Sequence, residues 1–398
     1  MKKNLLFLLK SLEIGGLEVV TAILANKFVS EGYGVSLFVF QPAKKSSIED
    51  RLDKRVRVCV VDNLGYSKNN VRIMRSLMQE QQIHIVINQW GLPSFLLRTA
   101  LNASKGMNLK FISVYHNAPN RNGRIQFVEN AIQKCQNVFT STFLHVLKGA
   151  VEAVTAYSMR WNYKHSDLYM VLSRSYVDVF EDFIGVHPAK KVIVQTNPIT
   201  IDCGDFKLNQ EKKNKEIVFV GRLDLIQKKV KRVIDTWNLL ASSNPDWRLT
   251  IIGDGPDRSF LENYVQELNL QRVSFEGFQN PVEYYKRASI LMLISDFEGF
   301  PLVLPECMSC GVIPAVYGSF SAVYDIVEDG KNGIVIPFNK DGFDAKQMAD
   351  RITELMRNEN IAKRMRENAV LTSKNFTVNH VYLSWLNCFN RLMSNEEV

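Results

Sequence analysis

Short apolar runs alternate with helix-period stretches from one end of the chain to the other. In the first half, runs at 4–9, 35–40, 56–61, 83–88 and 109–115 read as buried strands, being rich in Val, Ile, Leu and Phe. Stretches at 17–30, 69–81 and 93–103 repeat their apolar residues every three or four positions, the period of one helix face. A long helical stretch from 127 to about 161 leads into a strand at 167–172, a further helix and a strand at 191–195. After a polar interval the alternation resumes, with strands at 217–220, 248–252, 273–276, 290–294, 313–317 and 333–336. Two more helices cover roughly 343–371, and the tail from 376 to 393 is amphipathic. Such alternation predicts parallel sheets covered on both faces. Asn197-Pro-Ile-Thr and the polar run 209–216 form the expected hinge, giving domains 1–197 and 198–375 and a terminal helix 376–398.

A chain of 398 residues, 46% hydrophobic, can bury two cores. It has no run of eighteen apolar residues, so no spanning helix is expected. The start, Met1 to Lys10, carries only six apolar residues before a lysine, which favours a buried first strand over a secretory leader. Six scattered cysteines predict no disulfide framework and a reducing cytoplasm. Cys307 and Cys310 have a metal-like spacing but no second pair elsewhere. Charge is divided unevenly. Residues 1–200 carry 25 Lys+Arg against 14 Asp+Glu, whereas 201–398 carry 24 against 27. The first half is therefore expected to meet an anionic partner, and an anionic membrane surface fits. Nucleic acid is not expected, for no zinc finger, RNP-type or helix-turn-helix signature is present.

The candidate chemistry centres on Glu298-Gly-Phe-Pro-Leu-Val-Leu-Pro-Glu306. Glycine and proline stop the strand at 290–294, and Leu302 onward can start a helix, which puts Glu298 in a strand-end loop and Glu306 about one turn into the helix. Ligands of open α/β sheets bind at that edge. Carboxylates there can accept hydrogen bonds from sugar hydroxyls, and helix amides can meet a phosphate. Three further strand ends carry suitable groups: Gly15-Gly16-Leu17-Glu18, Gly221-Arg222-Leu223 with Lys228 six residues after the arginine, and His116 after 111–115. The cluster Lys228, Lys229, Lys231, Arg232 can also be read as a solvated basic helix start.

The stretch from Glu298 to Gly311, with Cys307-Met-Ser-Cys310-Gly-Val-Ile-Pro314, resembles the E-x7-E segment of the retaining family-4 glycosyltransferases. It has one extra residue before the proline, and cysteine where alanine is usual. The resemblance implies a GT-B fold: two doubly wound Rossmann-like domains facing across a cleft, with the C-terminal helix crossing back to the first. It implies a nucleotide-sugar donor, with a UDP-sugar expected, and a glycan or lipid-linked acceptor in bacterial-type surface polysaccharide synthesis. On this pattern Arg222 and Lys228 grip the diphosphate, with Gly15, Gly16, Gly221 and the Leu302 and Val303 amides beside it. Glu306 takes the ribose hydroxyls, and Glu298 and His116 take the donor sugar. Phe300 and Pro301 lie in the donor loop, and Phe278 follows the segment whose backbone reads the base. No Asp-x-Asp triplet is present, so fixed cations rather than a metal are expected to carry the leaving group, and no cofactor is expected. Lys229 stands where the family has glycine, Asn117 where aspartate often follows the histidine, and Gly318-Ser-Phe-Ser-Ala-Val lacks a Gly-Gly pair.

Several residues keep plainer readings. His84 is expected in a satisfied core position, and His145, His165, His187 and His380 at the surface or in packing. The turn 252–256 needs only turn chemistry. Gln89-Trp90-Gly91 can face an acceptor. The aromatic, basic stretch 143–165 suggests a membrane helix, yet it feeds a core strand and is read as packing. An epimerase or phosphorylase of the same architecture, or a non-enzymatic anion-binding protein, stays open as an alternative.

Overall fold

A computed structural model describes residues 3–44, 47–135, 137–204 and 213–394. Among them the chain forms two compact units. One comprises the residues up to Thr200 together with the helix Val378–Ser394; the other runs from Ile201 to Thr377. Residues 209–212 of the polar run expected as a hinge lie outside the described residues.

The first unit is built on a sheet of β1 (Asn4–Leu9), β2 (Gly34–Val39), β3 (Arg57–Val60), β4 (Ile85–Asn88), β5 (Lys110–Tyr115), β6 (Leu168–Val171) and β7 (Val192–Val194). All pairings are parallel, in the order β3-β2-β1-β4-β5-β6-β7. Residues 5–9 are completely buried, as a strand covered on both faces requires. One face packs Leu6, Leu8, Phe38 and Phe40 against Met74, Leu77, Leu96 and Ala100 of flanking helices. On the other face Phe28, from the helix Gly16–Ser30, meets Tyr382 and Phe389 of the helix Val378–Ser394 at 5.3 and 5.5 Å between ring centroids. The terminal helix therefore completes the core of the first unit. His84 immediately precedes β4, and its Nδ1 accepts the Asn4 N–H at 3.1 Å.

One expectation is corrected here. The helical stretch 127–161 is two helices, Gly123–Lys134 and Val138–His165. Asn137 ends the continuity because its side chain caps the second helix, accepting from the amides of Phe139 and Thr140. A short polar side chain that satisfies two otherwise orphaned N–H groups favours a new helix start over continuation.

The second sheet contains β8 (Glu216–Val220), β9 (Arg248–Ile252), β10 (Val273–Gly277), β11 (Ile290–Leu293), β12 (Ile313–Gly318) and β13 (Ile334–Pro337). Its order is β10-β9-β8-β11-β12-β13, again parallel throughout. Trp237, Leu249, Met292 and Ile352 are among the side chains filling its core. In both sheets the order reverses beside the first strand, between β1 and β4 and between β8 and β11. Loops leaving adjacent strands at such a reversal turn to opposite faces and open a crevice at the carboxyl edge.

Replacing Phe28 by alanine should destabilise the first unit by about 3–5 kcal/mol, the range for deleting a buried aromatic ring. Denaturant unfolding would show this as a shifted midpoint; an unchanged midpoint would mean that the terminal helix is not part of the core.

Candidate functional site at the carboxyl edges of the sheets

In the second unit a single buried carboxylate shapes the loop after β8. Asp224 Oδ1 accepts the amide N–H groups of Ile226, Gln227 and Lys228 at 3.1, 2.7 and 3.1 Å, and Oδ2 accepts from Arg222 Nε at 2.7 Å. Burial alone would raise the Asp224 pKa, but the donors from Lys228, Gln227 and Arg222 outweigh it and hold the group below its usual value. The loop thereby delivers the ammonium group of Lys228 to Glu298, in the loop after β11. Lys228 Nζ lies 2.6 Å from Glu298 Oε1, with the two side chains only 16% and 9% exposed. Gln227 ties the same loops together: its carbonyl accepts the Asp296 N–H at 2.8 Å, and its Nε2 donates to the Phe297 carbonyl at 3.1 Å. Asp296 also faces Arg232 Nη1 at 2.6 Å and Lys229 Nζ at 3.2 Å. Lys228, Lys229 and Arg232 are therefore engaged with the loop after β11, while Lys231 pairs with Asp235 and Tyr264, so the cluster is not a merely solvated helix start.

Lys229 has φ +51°, in the left-handed region that favours glycine, and directly precedes the helix Val230–Leu240. A left-handed backbone here is the kind of position at which the family pattern has glycine. Two real glycines crowd the neighbouring turn. A Cβ on Gly253 (φ +139°) would collide with the Gly221 carbonyl oxygen, and one on Gly255 with that of Leu223. The turn 252–256 is thus more than ordinary turn chemistry, because it lets two loop backbones touch and supports Gly221 and Arg222.

Glu306 lies on the short helix Val303–Ser309 and is buried beside Tyr285, whose hydroxyl is raised well above its usual pKa by burial and then by the Glu306 charge. Phe300 and Pro301 are buried, and Phe300 packs 5.5 Å from Phe376. Leu302 and Val303 are half-buried at the start of that helix. Phe278 is exposed, which excludes it from the core.

The cysteine expectation is corrected here as well. Cys203 and Cys310 form a disulfide with Cα atoms 6.3 Å apart, linking residues 107 positions distant. Cys307 is buried, with its thiol directed at the Leu304 carbonyl. With one sulfur bonded to Cys203, Cys307 and Cys310 do not act as a thiolate pair for a metal.

In the first unit the corresponding groups surround the end of β1. Gly15 is the extended residue before the helix Gly16–Ser30, and the Glu18 carboxylate folds back over it. Burial raises the Glu18 pKa. His116 follows β5, and its Nε2 lies 2.7 Å from Gln89 Oε1. Gln89 is held there because Gly91, the residue after next, donates its N–H to the Val114 carbonyl at 2.9 Å, an approach that a Cβ would block. Burial lowers the His116 pKa to about 4, so the ring is neutral at physiological pH. His116 Nδ1 and Gln89 Nε2 are buried without a hydrogen-bond partner, and buried polar atoms in this condition are suited to an incoming hydroxyl. Gln89 therefore supports His116 through Oε1, while its Nε2 keeps a hydrogen bond to give.

The structure brings Lys228 to Glu298, with Arg222 in the same loop and Glu306 on the next helix; Gly15, Gly16 and His116 lie at the edge of the other sheet. Sequence reasoning missed Asp224, Gln227 and Asp296, and named Gln89 only as a residue that can face an acceptor. Asp224 alone carried a local signal, an aspartate just ahead of a run of amides that it can turn toward itself.

Comparison with known proteins shows the family and the fold. The family model "Glycosyltransferase Family 4" covers residues 14–202, and "Glycosyl transferases group 1" covers 204–371. A Haemophilus influenzae protein described as an uncharacterized glycosyltransferase is 26% identical over 392 residues, covering 97% of this chain and 99% of its own. A Campylobacter jejuni α-1,4-N-acetyl-D-galactosaminyltransferase, whose name specifies a GalNAc-α-(1->4)-GalNAc-α-(1->3)-diNAcBac-PP-undecaprenol substrate, is 23% identical over 354 residues, covering 83% of this chain and 96% of its own. Among solved structures, the pneumococcal O-GlcNAc transferase GtfA, in complex with UDP and GlcNAc, superposes with a TM-score of 0.75 at 13% identity, over 99% of this chain and all of that one. The fold is that of a GT-B enzyme. The chain belongs to the family-4, group 1 glycosyltransferases.

Two outcomes follow from this geometry. Lys229→Gly should be tolerated: relief of the left-handed backbone, roughly 1–2 kcal/mol, offsets loss of a partly exposed ion pair worth about 1 kcal/mol or less. A large fall in melting temperature would show that the side chain, not the backbone, sets that position. For His116 the ordinary pKa of 6.5 applies to the unfolded chain and about 4 to the folded one. As pH falls from 6.5 to 4 the unfolded state takes up the proton first, so stability is lost at up to about 1.4 kcal/mol per pH unit. His116→Gln should flatten this part of the stability profile, and parallel profiles would contradict the buried, neutral imidazole.

Proposed function

We propose that the protein is a retaining, metal-independent glycosyltransferase that moves a sugar from a UDP-sugar to a glycan or lipid-linked acceptor. The observation that carries this reading is the Lys228–Glu298 pair at the strand-order reversal of the second sheet. An incoming diphosphate competes for the ammonium group of Lys228, and each hydrogen bond withdrawn from Glu298 can be replaced by one from a sugar hydroxyl. Arg222, held by Asp224 through Nε, offers the rest of its guanidinium to the same phosphates. Glu306 accepts from the ribose. Gly15 and Gly16 allow close backbone approach to an anion. His116 accepts a sugar hydroxyl at Nδ1 when Nε2–H donates to Gln89.

In the transfer, the bond from the anomeric carbon to the phosphate oxygen breaks, and the nucleoside diphosphate leaves with the electron pair. The acceptor oxygen bonds to that carbon on the same face, and its proton passes to the departing phosphate oxygen. Fixed cations stabilise the charge that develops on the leaving group, the task on which removing one preorganised donor commonly costs 10²–10³-fold in rate. UDP in the pneumococcal relative supports the choice of base, and the undecaprenol-linked substrate of the Campylobacter relative supports a lipid-linked acceptor. With such an acceptor, the proposed site of action is the inner face of a cytoplasmic membrane.

Truncating one member of a buried ion pair strands the other, so conservative variants give the cleaner test. Lys228→Met and Glu298→Gln should each lower kcat/KM by roughly 10²-fold or more. The double variant should melt near the wild-type temperature, and a chelator should leave the rate unchanged. Wild-type turnover in both single variants, loss of activity with chelator, or a trapped glycosyl adduct on Glu298 would overturn the reading.

A further inference from the structure

The helix Val138–His165 packs Met159 and Tyr163 inward but carries a second apolar face on its other side. Phe139, Phe143, Val146, Ala150, Val154 and Tyr157 follow one another at intervals of four, three, four, four and three residues, which aligns them on one helix face. That face is open to solvent: Phe139 is 88% exposed, Phe143 65% and Tyr157 70%. Phe127, on the adjacent helix Gly123–Lys134, is 76% exposed. The expectation that 143–165 is wholly a packing stretch is therefore corrected. Its inward side anchors the helix without them, through buried Thr155, Met159 and Asn162, with Ser158 Oγ and Asn162 Nδ2 donating to the Leu92 carbonyl at 2.6 and 3.0 Å. An outward apolar stripe that the fold does not use needs another occupant.

We propose that this stripe is a docking surface for an anionic lipid bilayer, entered to interfacial depth. Charge favours that occupant. Residues 121–165 carry six Lys+Arg against two Glu. Both glutamates are engaged by cations, Glu129 with Arg121 and Lys148, each at 2.8 Å, and Glu152 with Lys148 at 3.5 Å. Arg124 and Lys164 are exposed on the same two helices, and residues 1–200 carry 25 Lys+Arg against 14 Asp+Glu. A helix with an uncharged aliphatic and aromatic face and cationic flanks lies in a headgroup interface. Spanning is excluded, since among the described residues no helix is long and apolar enough to cross a membrane. A second copy of the chain fits poorly. The stripe runs from Phe139 to Tyr157, nineteen residues spanning about 27 Å, and is about 10 Å wide. Its area of about 300 Å² falls well below the ~800 Å² that each partner of a stable complex buries.

The inference bears on the lipid-linked acceptor of the proposed function, but its test reads binding alone, so each can fail without the other. Full-length protein would be sedimented with vesicles of phosphatidylcholine alone and with 30% phosphatidylglycerol. The wild type should bind the anionic vesicles at least tenfold more tightly than the neutral ones. Phe139→Ser/Phe143→Ser/Tyr157→Ser should lose tenfold or more of that binding with an unchanged melting temperature. A wild type that stays in the supernatant with both compositions, or a triple variant that binds as well as wild type, would overturn the proposal. So would a solution dimer of the wild type that the triple variant breaks.

Discussion

Bringing Lys228 and Glu298 to 2.6 Å with so little water around them is the constraint on which the second unit's edge depends. Two charges withdrawn from solvent each carry a desolvation penalty of several kcal/mol, which their attraction offsets only in good geometry. That geometry comes from other residues. Asp224 gathers three successive amides and so aims Lys228, while Gln227 fastens the loop after β8 to the loop after β11. A hydrophobic pair of the same volume would serve stability as well, so the ionic choice points to a ligand that exchanges partners with it.

The location follows from chain topology. Parallel strands place every following loop at one edge, and the reversal of order beside β8 separates the loops leaving β8 and β11. Glycines at 253 and 255 then let a third loop press its backbone against the first. The first unit repeats the plan with different chemistry. Its reversal beside β1 gathers a glycine turn, a buried neutral histidine and the glutamine beneath it. A cationic, carboxylate-bearing edge suits an anionic leaving group, and a neutral edge with unpaired polar atoms suits hydroxyl groups.

Much of this was legible in the residues because it is written locally. Apolar runs and glycine–proline stops gave the strands and put Glu298, Arg222 and His116 at strand ends. What was not legible depends on distant partners or on which side of a helix faces solvent. The Cys203–Cys310 bond joins residues 107 apart, and no spacing rule pairs them. Gln89 acquires its role only when β4 and β5 lie side by side. The break at Asn137 was overlooked because apolar periodicity continues through it while one side chain changes the hydrogen bonding. The apolar face of the helix Val138–His165 looked like core because periodicity reports a stripe, not its direction.

Calorimetric titration in excess chelator, with a nucleoside diphosphate and then the matching monophosphate, tests the central claim most directly. The account predicts that Lys228→Met weakens the diphosphate by tenfold or more while leaving the monophosphate nearly unchanged, because the proposal assigns that ammonium group to the outer phosphate. Equal weakening of both ligands, or unaltered affinity for the diphosphate, would contradict it.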